Sequence, residues 1–190
     1  MICPTDKLGI RGPHNLANSA AAAAMVLSVE DNIEAVAKGL ETFKGIAHRL
    51  EPVTEIKGVG FINDSKATNV DSVFYALQSV DRPLIVIMGG RDKNGDFTTL
   101  SPLVAAHVKL LILIGEAADK IEKSFAGVTA IFRAKDIYEA VEVGYQRSSQ
   151  GDVVLLSPAC ASFDQFTDYE DRGNKFKQAV LALARKEGAL

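Results

Sequence analysis

The sequence holds only two cysteines, Cys3 and Cys160, far apart in the chain. Such a pair makes no disulfide framework, and a reducing, cytoplasmic setting is the simple expectation. No apolar run approaches the roughly 20 residues needed to span a bilayer. The apolar stretch at residues 20–27 is short, follows a polar start and rests on alanine, unlike a signal peptide. Charge nearly balances, to a formal -3, which removes the electrostatic case for nucleic acid or an anionic membrane as partner. Three histidines with no His/Cys/carboxylate cluster give no zinc motif. The phosphate-cradling G-x-x-x-x-G-K-S/T spacing is absent, as is the G-x-S-x-G elbow. There is no internal repeat and no low-complexity linker. What remains is an ordinary globular composition in 190 residues, enough for one good domain and a remnant of another.

Two helices are expected first. Asn15 or Asn18 caps the alanine-rich one. The second runs from 31 or 32 to 43, with Ile33, Val36, Ala37, Leu40 and Phe43 on one face and Gly45 as its stop. They have no strand of their own to cover. From residue 48 the pattern changes. Residues 49–56 alternate as a strand, Lys57-Gly58 turns, and 59–62 return. Helices are expected at 69 or 70 to 77, 97–108, 116–125 and 135–146, with strands at 84–88, 110–114, 128–132 and 153–156 between and after them. Pro102 is tolerable only in the first turn of its helix. A last helix follows the small-residue loop after Pro158, anchored by Phe163, Phe166, Phe176 and Val180. This alternation predicts an α/β, Rossmann-like fold: a mostly parallel sheet with helices on both faces, preceded by a short helical segment. Ligands then sit beyond the carboxyl ends of the strands.

Three strand-end loops fall on that edge: 63–69, 89–97 and 157–164. In the first, Asp64 suits ribose hydroxyls and Lys66 a phosphate or carboxylate. An equally simple reading makes Asp64, Ser65 or Thr68 the cap of the next helix. In the second, Gly89-Gly90 would let a ligand approach the backbone, while Arg91-Asp92-Lys93 also reads as a solvated charged turn. In the third, Cys160 between two alanines reads as a small buried hydrophobe rather than a nucleophile. Ser162 reads as a helix cap or anion contact.

The residues then match a known pattern: His48-Arg49-Leu50-Glu51, Asn63-Asp64-Ser65-Lys66-Ala67-Thr68-Asn69, Gly89-Gly90-x-x-Lys93, and Ser157-Pro158-Ala159-Cys160-Ala161-Ser162 with Asp164-Gln165-Phe166 and Arg172-Gly173. Together they resemble the Mur ligase family, and the run from Ser157 to Phe166 and the S-K-A-T-N form favour its D-glutamate-adding branch. His14-Asn15-x-x-Asn18 is similar to the late central-domain segment. The resemblance implies a ligase using ATP and Mg2+ to join D-glutamate to UDP-N-acetylmuramoyl-L-alanine through an acyl phosphate. It implies that residues 1–47 are the tail of a central ATPase domain and 48–190 the C-terminal domain. It places Asn18, His48, Arg49 and Asp64 at the nucleotide, with Arg49 on the phosphates and Asp64 on the ribose. It places Lys66, Thr68, Lys93, Ser162 and Tyr169 at D-glutamate, with Tyr169 where the family usually has Phe. No catalytic residue or metal ligand is assigned, and a chain without its P-loop is expected not to turn over alone. A sister ligase for another amino acid, a folate-type glutamate ligase, and a non-catalytic binding module remain open at this point.

Overall fold

The computed structural model describes residues 2–10 and 12–190. The chain divides into two compact units, Met1–Ile46 and Ala47–Leu190.

The first unit holds a 3-10 turn at Thr5–Lys7 and two helices, α1 (Pro13–Leu27) and α2 (Ile33–Thr42). Helix α1 starts earlier than expected. Gly12 takes φ 105° as its cap position and Pro13 fills the first turn, where a missing N–H costs nothing. Asn15 and Asn18 therefore lie inside the helix rather than capping it. Asn32 does cap α2, its side chain accepting from Ala35 N at 2.9 Å. Phe43 turns extended at the other end, two residues before Gly45.

The second unit begins with a hairpin of β1 (Glu51–Ile56) and β2 (Val59–Asn63). Lys57 and Gly58 both take positive φ, 48° and 84°, giving the turn whose twist matches antiparallel strands. Then follow α3 (Val70–Gln78), β3 (Leu84–Gly89), α4 (Ser101–His107), β4 (Val108–Ile114), α5 (Ala118–Ser124), β5 (Ala130–Arg133), α6 (Ile137–Gln146), β6 (Val153–Leu156) and α7 (Tyr169–Lys186). The sheet order is β1-β2-β6-β3-β4-β5. Only the β1–β2 pair is antiparallel.

The helix expected over 97–108 is split. Phe97–Leu100 is a 3-10 turn, because Pro102 has no N–H for Thr98 O, and Ser101 N takes that carbonyl instead. Strand β4 then claims Val108. The last helix begins at Tyr169, later than expected, where the Asp168 side chain accepts from Asp171 N at 2.7 Å. Phe163 is consequently no core anchor and stands 62% exposed, whereas Phe176 and Val180 are fully buried.

Both sheet faces are covered. Leu84, Val86 and Met88 of β3 pack with Val73, Leu77, Val104 and Ile121 from α3, α4 and α5, and with Phe125 just after α5. Ile85 and Ile87 point the other way, toward Ile137 and Val141 of α6 and Phe176 and Val180 of α7. Because β6 inserts between β2 and β3, the loops leaving these three strands become neighbours at one edge. That is the topological switch point where open α/β sheets hold ligands.

Candidate functional site

The three loops are tied together by backbone hydrogen bonds. Ala159 N donates to Ala67 O at 2.9 Å and Gly89 N to Pro158 O at 2.9 Å. Arg91 and Ala161 exchange N–H···O bonds at 2.9 and 3.0 Å. The two glycines serve this closeness rather than a ligand's approach: a Cβ on Gly89 would strike Ile114 O, and one on Gly90 would strike Ala161 O. The charged turn after them is ion-paired, Arg91 to Glu116 and Lys120 to Asp92. Ala159 sits at φ 61°, a left-handed backbone that a non-glycine residue keeps only under constraint. A fourth loop joins through Asp164, whose carboxylate accepts from Glu116 N at 3.0 Å.

Beneath the loops lies Arg172, 0% exposed. Its guanidinium donates to Ser65 Oγ (3.0 Å), Ser65 O (2.8 Å) and Cys160 O (3.1 Å). Ser65 Oγ in turn donates to Tyr169 O at 2.7 Å. One side chain on α7 thus holds the loops after β2 and β6 in register. Burial pulls its pKa down to about 10, so it stays charged at neutral pH. Sequence reasoning assigned Arg172 no role. The signal was present: residues 172, 176, 180 and 184 are spaced four apart, placing an arginine in phase with the buried face of α7.

The residues expected at the nucleotide divide between the units. Asn18 is in the first, on α1, where its Nδ2 donates to Asn15 Oδ1 at 3.5 Å. His48, Arg49 and Asp64 meet in the second. Asp64 is 5% exposed and accepts from Leu50 N (3.1 Å) and Ser157 Oγ (2.9 Å). Burial raises its pKa to about 7, against the pull of Ser157, Leu50 N and Arg49. The cap of α3 is Asn69, accepting from Ser72 N at 2.8 Å, and not Asp64, Ser65 or Thr68. Arg49 is exposed.

Of the residues expected at D-glutamate, Lys66 and Tyr169 touch: Nζ donates to the phenol oxygen at 3.2 Å and lies 4.6 Å from the ring centre. Thr68 is half-buried on the same loop, its N donating to Lys66 O at 2.9 Å. Lys93 lines a cavity of about 270 Å³ with Asn69, Asp92, Asp96, Thr99 and Ala159. Lys66, Ser162 and Tyr169 are not part of that lining. Ser162 is 2% exposed, and its hydroxyl makes no hydrogen bond among the described residues. It caps no helix; its carbonyl closes a turn with Phe166 N at 2.9 Å. Cys160 is fully buried, its thiol pushed up to about 12 by burial, which fits an inert packing residue. No group of three or more His, Cys, Asp or Glu among the described residues could hold a metal ion.

A mostly parallel sheet with an antiparallel first strand, and a switch-point edge where four strand-end loops are tied together, define an open α/β domain. A family model described as the Mur ligase glutamate ligase domain matches residues 48–160. The chain belongs to the Mur ligase family. It is 45% identical over 185 residues to the UDP-N-acetylmuramoylalanine–D-glutamate ligase of Salinibacter ruber, covering 96% of this chain and 40% of that protein. It is 47% identical over 186 residues to the enzyme of that name from Chlorobaculum parvum, covering 95% and 39%. The chain thus spans about 40% of the length of these curated relatives. Two solved structures share the fold. UDP-N-acetylmuramate-alanine ligase MurC from Thermotoga maritima gives a TM-score of 0.69 at 17% identity, covering 92% of this chain and 39% of that one. MurF ligase from the same organism, in complex with ADP, gives 0.61 at 17%, covering 91% and 40%.

Proposed function

We propose that this chain is the amino-acid-presenting part of an ATP-dependent ligase that adds D-glutamate to UDP-N-acetylmuramoyl-L-alanine. Residues 48–190 form its C-terminal domain, and residues 1–47 belong to the end of its central ATPase domain. The observation that carries the reading is the charge left unspent at the carboxyl edge of the sheet. Arg49, Lys66 and Lys93 make no salt bridge among the described residues, while Arg91 and Lys120 beside them are paired. Cations that carry no salt bridge at this edge suit a ligand bearing carboxylates and phosphates.

In this reading Lys66, Thr68, Lys93, Ser162 and the Tyr169 backbone hold D-glutamate, and Arg49 faces the ATP phosphates. A ribose hydroxyl donating to Asp64 would favour its charged form. ATP phosphorylates the carboxylate of the sugar-linked alanine. The glutamate amine then attacks the acyl carbon, phosphate leaves, and an amide forms. The domain's contribution is to orient the amine and balance charge. The described residues supply no cradle for the magnesium that accompanies ATP, and no step here is assigned to it.

The test uses the chain joined to the remaining length that its relatives have. Lys66→Ala and Lys93→Ala are each expected to raise KM for D-glutamate about tenfold or more, as loss of a charge-assisted contact does, with KM for ATP little changed. KM for D-glutamate within about twofold of wild type in both variants would overturn the reading.

A further inference from the structure

The surroundings of His48 fix the state of its ring. Its Nδ1 faces Asn63 Nδ2 at 3.0 Å. The orientation of that amide is fixed on both sides, since Asn63 Nδ2 also donates to Glu51 Oε2 (3.0 Å) and Asn63 Oδ1 accepts from Ser65 N (3.1 Å). The amide nitrogen is therefore a donor, and Nδ1 must be an unprotonated acceptor, with the ring proton on Nε2. Glu51 closes the circuit, accepting from His48 N at 2.8 Å and from Lys177 Nζ at 3.0 Å. Gly173 on α7 exists for this ring: a Cβ there would collide with His48 Nδ1.

The backbone around it is as tightly held. His48 takes φ 64° and Leu50 φ 43°, both left-handed. His48 O accepts from Lys66 N at 2.9 Å, and Leu50 N donates to Asp64 at 3.1 Å. Arg49 is thus presented outward between two strained residues, each tied to the loop after β2. We propose that His48 is a positioning residue, an uncharged lock that sets both Arg49 and Lys66 at the ligand edge and that opens in acid. The Arg49 and Lys66 ends of this proposal rest on the ligase reading above.

Protonation would place an N–H on Nδ1 against the Asn63 amide N–H, donor against donor. Asn63 cannot flip without losing Ser65 N and Glu51 together. The groups that face His48 are Glu51 on β1, Asn63 on β2, and Asp168, Glu170, Lys177 and the Tyr169 ring edge on α7. Burial and Lys177 hold the ring's pKa below its ordinary 6.5, outweighing the carboxylates. The sign follows: the lock's stabilisation is complete above pH 6.5 and is lost as pH falls through the lower folded value.

The test is a pH titration of the chain followed by imidazole nitrogen and backbone amide shifts, with no nucleotide or amino acid present. The wild type should show the Nε2–H form at neutral pH and a His48 transition below 6.5, with the Lys66 and Arg49 amides moving in the same transition. His48→Asn keeps an acceptor at the Nδ1 position and tolerates the left-handed backbone. It should leave the Lys66 and Arg49 amides near their neutral positions and abolish the acid transition, while the separate transition of Asp64 near 7 persists. A charged or Nδ1–H ring at neutral pH, Lys66 and Arg49 amides indifferent to the His48 transition, or an acid transition that survives in His48→Asn would each overturn the lock. Because no substrate enters the experiment, its failure is separable from failure of the ligase reading.

Discussion

Asp64 and Arg172 both carry ionisable groups where water does not reach, and the two have opposite consequences. Asp64 costs stability when charged. Its folded pKa, about 7, stands above the ordinary 3.8, so its favourable contribution is complete below 3.8 and is lost as pH rises through 7. Asp64→Asn keeps an acceptor for Leu50 N and removes the charge. It should remove the fall in stability between pH 6.5 and 8, a range above the His48 transition, and stabilise the chain at pH 8 by up to about 4 kcal/mol, measured by urea denaturation. A wild-type curve flat from pH 6.5 to 8 would contradict the assignment. Arg172 stays charged and is held by three oxygens of two loops. Arg172→Ala strands Ser65 O and Cys160 O and empties a core volume, a loss of about 3 kcal/mol or more. A loss under about 1 kcal/mol would show that the loops hold themselves.

At the scale of elements, α7 is the part to perturb, since it carries Tyr169, Arg172, Gly173 and Lys177. Asp168→Ala removes its cap and should cost about 1 kcal/mol, with the largest amide shifts in its first turn. Gly173→Ala pushes His48 from its seat and should destabilise by about 2 kcal/mol, where an ordinary helical glycine-to-alanine change stabilises. The sheet was readable from sequence because β3 and β6 are unbroken apolar runs stopped by Gly89 and Pro158. The start of α7 was not, because Phe163 and Phe166 mimic its periodicity, while the deciding feature is a single side-chain bond from Asp168. The glycines at the end of β3 misled for a related reason. A sequence shows that a close approach is needed there, but not that the approaching group is the chain's own Ile114 and Ala161.

On the scale of the whole molecule, the two units differ in how much they bury. In Met1–Ile46, Ala23 is the one described hydrophobic residue that is fully buried, and Met25, Val29 and Ile33 are exposed. Amides of α1 and α2 should therefore exchange with solvent orders of magnitude faster than those of β2, β3 and β6; equal protection would contradict this. The candidate site was legible as a set of loops, since strand-end loops of a parallel sheet gather by topology alone. Its internal wiring was not. The Glu51–Asn63–His48–Lys177 circuit joins a hairpin to a distant helix through hydrogen-bond geometry that no spacing reveals. The proposed recognition of D-glutamate at this edge is tested by titrating the chain with D-glutamate, and with L-glutamate as control, followed by amide shifts. Saturable, D-selective shifts at Lys66, Thr68, Lys93 and Ser162 are expected; equal response to both enantiomers, or shifts confined to other residues, would contradict it.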